Sequence, residues 1–382
     1  MPNIGNAADN VRRISPQDGA HYFFGYYDLP AFSSDGMRHL CHRTTFRDRL
    51  PNMGDVCEVG YLDTGSAAFH AFGTTQAFNF QQGAMLQWYP ANGSESVAYN
   101  VRGADGYQTC IHNLGTGARR VLPAAAANIS ADGKHGLCIN MQRVFDFRPG
   151  YGYAGAGDPY FDVPQPLDDG IFLMDMHTGQ LALILHYREL AAFFGIPENR
   201  KVVVNHITFN PSGTRFLFLL RTFAEGGSWS TCLGTAKYDG SELYLLSPPS
   251  MASHYHWRDD AHLLIWAEIS SVPGMYLLRD QSTDVTRLNP DFFTRDIHCV
   301  YSPDRRFILG DGYPDHTGHR AIELYDVTRD TGRQVCSVYS MTPATVDVRC
   351  DLHNRWSRDG RRISFDSTHE GFHGVYVTAF EE

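Results

Sequence analysis

Five histidines stand a few residues ahead of four similar turns. His206 precedes Phe209-Asn210-Pro211-Ser212-Gly213, and His254 and His256 precede Trp257-Arg258-Asp259-Asp260. His298 precedes Tyr301-Ser302-Pro303-Asp304, and His353 precedes Trp356-Ser357-Arg358-Asp359-Gly360. Imidazole exchanges protons near neutral pH and ligates metals, so equivalent histidines from successive repeats point to one shared site. Asp351-Leu352-His353 places a carboxylate and an imidazole at i and i+2, on one face of an extended segment. With His298 arriving from the preceding repeat, the donor set His298, Asp351 and His353 suits a divalent cation. Mn2+ fits it best, Zn2+ next and Ca2+ last.

Guanidinium groups come next. Arg221 ends the run that begins at Arg215, one hairpin after His206, and Arg349 lies two residues before Asp351. A guanidinium turned inward needs a carboxylate. For Arg349 that is either Asp347 or Asp351, or else an acidic substrate. His206 and His254 are both candidate proton acceptors, and His256 is a fallback two residues on. Tyr26 and Tyr27, Gln81 and Gln82, and Trp88 occupy the matching register in the first two repeats. Rings that stack on sugars and amides that bond hydroxyls would serve a carbohydrate, and rings alone would equally serve packing between repeats.

These residues are positioned by a repeat. Seven times an apolar or aromatic residue is followed by Ser, Pro or Asn and a tight turn, beginning with Phe32-Ser33-Ser34-Asp35-Gly36 and Tyr89-Pro90-Ala91-Asn92-Gly93. The turns recur roughly every 40 to 57 residues, with one gap of about 80. Asp-Gly between alternating apolar runs is a strong hairpin signal. A second series, Asp63-Thr64-Gly65, Asn113-Leu114-Gly115 and Asp175-Met176-His177-Thr178-Gly179 among them, marks a second hairpin in each repeat. The reading is all-β: a seven-bladed β-propeller of four-stranded antiparallel blades, residues 1–382 forming one domain. Its last blade is expected to combine N- and C-terminal strands. The one helix expected is Tyr187 to Phe194. Residues 143–169 break the rhythm as an irregular insertion, and its Arg143, Arg148 and Tyr151 are candidates to fold over the propeller mouth and touch ligand.

Composition limits the partners. The formal charge of −10 leaves no basic footprint for nucleic acid or an anionic membrane. No run approaches the roughly 20 apolar residues of a membrane span, and Met1–Ser15 lacks the apolar core of a leader. Eight scattered cysteines without CxxC spacing fit a reducing compartment, so a cytoplasmic location is expected.

The order of these features resembles the oligogalacturonate lyase family of seven-bladed propellers. The likeness rests on His206 with Arg221, on Ser253-His254, on His298 followed by Gly310-Asp311-Gly312, and on the donor pair before the last turn. Where that family reads His-Pro-His with a Gln three residues upstream, this chain reads Asp351-Leu352-His353, with Val348 at the Gln position. The resemblance therefore implies a divergent member. It implies metal-assisted β-elimination on a uronic-acid oligosaccharide, an acidic oligosaccharide as partner, Arg221 on the carboxylate and His254 as base. The residues themselves also admit a non-catalytic binding propeller, or a metal-dependent sugar hydrolase or epimerase with the same site.

Overall fold

Each turn closes the first hairpin of a four-stranded antiparallel sheet, and seven such sheets succeed one another in a ring. The computed structural model describes residues 10–91, 93, 95–223 and 229–381. Asn92 of the second turn and the first nine residues of the N-terminal stretch lie outside the described residues. The innermost strands, in blade order, are His21–Phe23, Gln87–Trp88, Ala126–Ile129, Val202–Phe209, Ala252–Trp257, Ile297–Tyr301 and Arg355–Trp356. Each blade runs outward from there. In blade 6, Ile297–Tyr301 is buried throughout, whereas the outer strand Thr331–Tyr339 opens with four exposed residues. Blade 7 borrows its outer strand from the other end of the chain: Val11–Arg13 pairs with Gly374–Ala379, Val11 opposite Thr378. The expected closure is therefore present.

The turns are built as their composition requires. Ser33, Ser130 and Ser357 each donate a hydroxyl to the Asp two residues on, and the NH of Gly36, Gly133 and Gly360 closes the turn on the serine carbonyl. Those glycines are left-handed, with φ of +68°, +74° and +70°, a region nearly free for glycine and costly for other residues. In the sixth turn Arg305 takes that position at φ +64°.

The helical content departs from expectation in one place. Tyr187–Phe193 is helical as read from the sequence. The insertion, however, opens with a second helix, Met141–Phe147, capped by Asn140, whose side chain accepts from the NH groups of Gln142 and Arg143. Seven residues are too few to show a helical period. This helix is held by burying Met141, Arg143, Val144 and Phe147 against the propeller rather than by propensity. None of the described helices is long and apolar enough to cross a membrane. All eight cysteines are buried and unpaired.

Blade 7 meets blade 1 in a small core in which Ile14, just beyond the closing strand, is fully buried with Tyr22, Phe32 and Val375. Ile14→Ala should lower unfolding free energy by about 2–5 kcal/mol in a denaturant titration. Val56→Ala, at an exposed position, should change it by less than about 0.5 kcal/mol.

Candidate active site

The candidate residues gather where the inner strands begin, around the propeller axis. Two β-bulges matter here. The ladder of blade 4 shifts register between Val204 and His206, and that of blade 5 shifts between Ala252 and Tyr255. A bulge re-aims the side chains it carries, and His206 and His254 are the residues concerned. His298 is regularly paired on its strand, opposite Asp311. His353 precedes Arg355–Trp356 at φ +44°, a left-handed conformation for a residue with a side chain, held at a functional position.

His298, Asp351 and His353 each offer a ligand atom within 4.8 Å of the others. All three are buried. His298 Nε2 and His353 Nε2 have no hydrogen-bond partner among the described residues, which is costly for buried polar atoms unless something else meets them. Asp311 Oδ2 stands 3.3 Å from His298 Nδ1, which turns the bare Nε2 toward the cluster, the usual outer partner of a metal-bound histidine. The donors fit a divalent cation. Asp351 has further company: Arg320 lies 2.8 Å from Oδ1 and Arg349 Nε 2.8 Å from Oδ2. Burial alone would raise the Asp351 pKa, but Arg349 and Arg320 outweigh it and hold the group well below the usual carboxylate range. Of the two roles open to Arg349, the geometry gives it the carboxylate partner. Val348 is packed among apolar side chains and supplies no donor.

His254 lies beside this cluster, its ring centroid 4.0 Å from that of His298. Its Nδ1 is 2.9 Å from Asp296 Oδ1, and its Nε2 makes no hydrogen bond among the described residues. Burial lowers its pKa, against a smaller opposing pull from Asp296, so the ring is neutral at neutral pH. His206 sits farther round the axis, separated from His353 by the Tyr26 ring, which stacks on His206 at 4.9 Å and meets His353 edge-on at 5.2 Å. Both its nitrogens are engaged: Tyr26 Oη at 3.3 Å and Gln82 Nε2 at 3.4 Å. The four imidazoles thus do converge, three together and one behind a tyrosine.

On the His206 side the charge is positive. Arg221 is buried, has neither a hydrogen bond nor an ion pair among the described residues, and has a buried unpartnered Nε. Burial, with Arg148 close by, brings its pKa down to about 10, so it remains charged at neutral pH. Arg148 donates to Asn205 Oδ1 at 3.2 Å and covers the Tyr151 ring at 3.7 Å. Both guanidiniums lie over the partly exposed Trp229 ring, at 5.3 and 5.4 Å. The insertion therefore reaches the axis through Arg148 and Tyr151. Tyr151 Oη accepts from Arg349 at 3.0 Å and lies 3.4 Å from Gln81 Oε1, and Gln81 donates to the Arg349 carbonyl.

Other expected site residues lie elsewhere. Arg143 is fully buried, paired with Asp158 and bonded to the carbonyls of Val202, Tyr160, Val163 and Pro164, so it anchors the insertion. Trp88 is buried in the core of blades 1 and 2, its Nε1 donating to the Ala31 carbonyl, because its strand faces the neighbouring blade. Tyr27 gives its hydroxyl to the Tyr255 backbone and fills the axis. His256 is one pleat beyond His254, and since the strand follows the axis it faces the opposite mouth. Asp296, Arg320 and Trp229 carried no sequence signal: none sits at a repeat-equivalent position. Tyr313, over Arg320 and Arg349 at 5.9 Å each, was also missed.

No family model and no curated protein matches this chain. Solved structures do. An oligogalacturonate lyase in complex with manganese superposes over 99% of this chain and 96% of its own, at TM-score 0.70 and 16% identity. The fold is that of the oligogalacturonate lyases. A second one, from Vibrio parahaemolyticus, covers 97% of this chain and 94% of its own at TM-score 0.68 and 12% identity. The tricorn protease matches 96% of this chain with 34% of its own, at TM-score 0.53 and 12% identity.

Calorimetric titration with Mn2+ is expected to show binding that is lost in His298→Ala and in His353→Ala and retained in His254→Ala.

Proposed function

We propose that this chain is a carbon–oxygen lyase that cleaves a uronic-acid-containing oligosaccharide by metal-assisted β-elimination. The observation that carries the reading is Arg221, a buried cation with no carboxylate partner among the described residues. An uncompensated buried charge is costly, and an incoming carboxylate would relieve it. Arg148, whose one hydrogen bond among the described residues is to a neutral amide, strengthens the preference for an acidic ligand. Both lyase-fold neighbours, one of them in complex with manganese, agree with this assignment.

In the proposed reaction a proton leaves C5, a C4–C5 double bond forms, the C4–O4 bond breaks, and O4 takes up a proton. The proton at C5 is weakly acidic, and charge accumulates on the adjacent carboxylate as it departs. Arg221 meets that charge. His254 is the proton acceptor: neutral, oriented through Nδ1 by Asp296, and bare at Nε2. His206 is the weaker choice because Tyr26 and Gln82 occupy its two nitrogens. A divalent cation held by His298, Asp351 and His353 would supply further fixed positive charge for the carboxylate, Mn2+ being favoured by two imidazoles and one carboxylate. The buried, unpaired cysteines suit a reducing compartment such as the cytoplasm.

Incubation of the full chain and Mn2+ with oligomers of galacturonate, of alginate uronates and of glucuronate is expected to generate the ultraviolet absorbance of a 4,5-unsaturated sugar with at least one of them. A new reducing end without that absorbance would make the chain a hydrolase, and no product from any of them would remove the proposal. His254→Ala should lower kcat by about 10²–10⁴-fold while Mn2+ binding persists. Because burial holds the His254 pKa below its ordinary value of 6.5, the base is neutral above that lowered pKa. The His254 ionisation by itself should therefore leave kcat, measured at saturating Mn2+, flat down to about pH 6.5 and lower it only at more acid pH.

A further inference from the structure

The axis has a second mouth. It opens where the inner strands end, beside the turns that carry Pro303 and Ser357, and it is a cavity of about 310 Å³, within the range of small-molecule sites, about 300–1,000 Å³. Tyr27 divides it from the candidate active site: that ring lies 5.4 Å from His298 on one side and lines this cavity on the other. Gly25, at φ +122°, allows the dividing segment to press against the Gln82 backbone, where a Cβ would come within 2.8 Å.

Four residues lining this mouth keep a buried polar atom without a hydrogen-bond partner among the described residues: Asp28 Oδ1, His256 Nδ1, Arg355 Nε and Trp356 Nε1. Trp356 as a whole is only 7% exposed. An indole N–H can only donate and a carboxylate only accept. Burial, with Arg305 nearby, lowers the His256 pKa to about 4, so its ring is neutral and carries one acceptor nitrogen. The donor-and-acceptor demand is mixed. An anion would satisfy Trp356 and Arg355 Nε but be repelled by Asp28; an ammonium ion would satisfy Asp28 and His256 and leave the indole and guanidinium N–H groups unmatched. A hydroxyl does both. Two guanidiniums also line the mouth and are already engaged: Arg355 pairs with Asp366 at 2.8 Å, and Arg358 donates to the Phe32 carbonyl at 3.0 Å. Tyr301 and Trp356 add ring surface for apolar C–H faces.

We propose that this mouth is a second binding site, distinct from the candidate active site, for a small uncharged polyhydroxylated molecule of monosaccharide to disaccharide size. The test is ligand-observed NMR titration of the full chain with galactose and with cellobiose, for wild type, Trp356→Phe, His256→Leu and His353→Ala. At least one sugar is expected to bind wild type and His353→Ala equally, and about tenfold or more weakly to Trp356→Phe and to His256→Leu. Near-ultraviolet circular dichroism establishes that each variant is folded; should Trp356→Phe not fold, His256→Leu decides. The proposal is overturned if neither sugar binds wild type, if both mouth variants bind as wild type does, or if binding disappears in His353→Ala, which would locate it at the other end of the axis.

Discussion

The Asp351 carboxylate is the point on which the axial site depends. It is buried and within reach of two guanidiniums and two imidazoles, drawn from blade 6 and from the segment that leads into blade 7. Removing a single partner from such a buried cluster typically costs about 3–5 kcal/mol, because the remaining charge is stranded. Arg349 carries the constraint outward, through Tyr151 to the insertion and through its carbonyl to Gln81. One charge therefore orients parts of the chain that are remote in sequence, and the candidate metal donors inherit their placement from it.

The two sides of the site differ in how their charges are satisfied. Around Asp351, carboxylates and guanidiniums answer one another: Asp351 and Asp311 face Arg320, Arg349 and the His298 ring. Across the axis, Arg221 and Arg148 have no carboxylate partner among the described residues. Buried unpaired cations are rare in proteins unless a ligand completes them. A divalent cation on the balanced side would add positive charge to an already cationic pocket. In the proposed reading this arrangement favours an acidic ligand, although the chain itself is formally −10.

Much of this was legible in the sequence because hairpin chemistry is local. Asp-Gly turns declare themselves in five residues, and their sevenfold return gave the blade count and the register that brings His206, His254, His298 and His353 to one axis. What was hidden depends on packing. Whether Trp88 faces ligand or core is decided by the neighbouring blade, and it faces the core. Arg143 reads like Arg148, five residues on, yet one meets the buried Asp158 and the other reaches the axis. Asp296 and Arg320 find His254 and Asp351 only through the fold. The bulges that turn His206 and His254 inward leave no mark in residue type.

The central claim is that one side of the axis holds a divalent cation while the other receives a substrate carboxylate. Anomalous diffraction at the manganese edge, from crystals of His254→Ala soaked with Mn2+ and an oligouronide, tests both halves at once. The account predicts a manganese peak bonded to His298, Asp351 and His353, with a uronate carboxylate in hydrogen-bonding contact with Arg221. Manganese bound elsewhere, or an oligouronide whose carboxylates avoid Arg221, would contradict it.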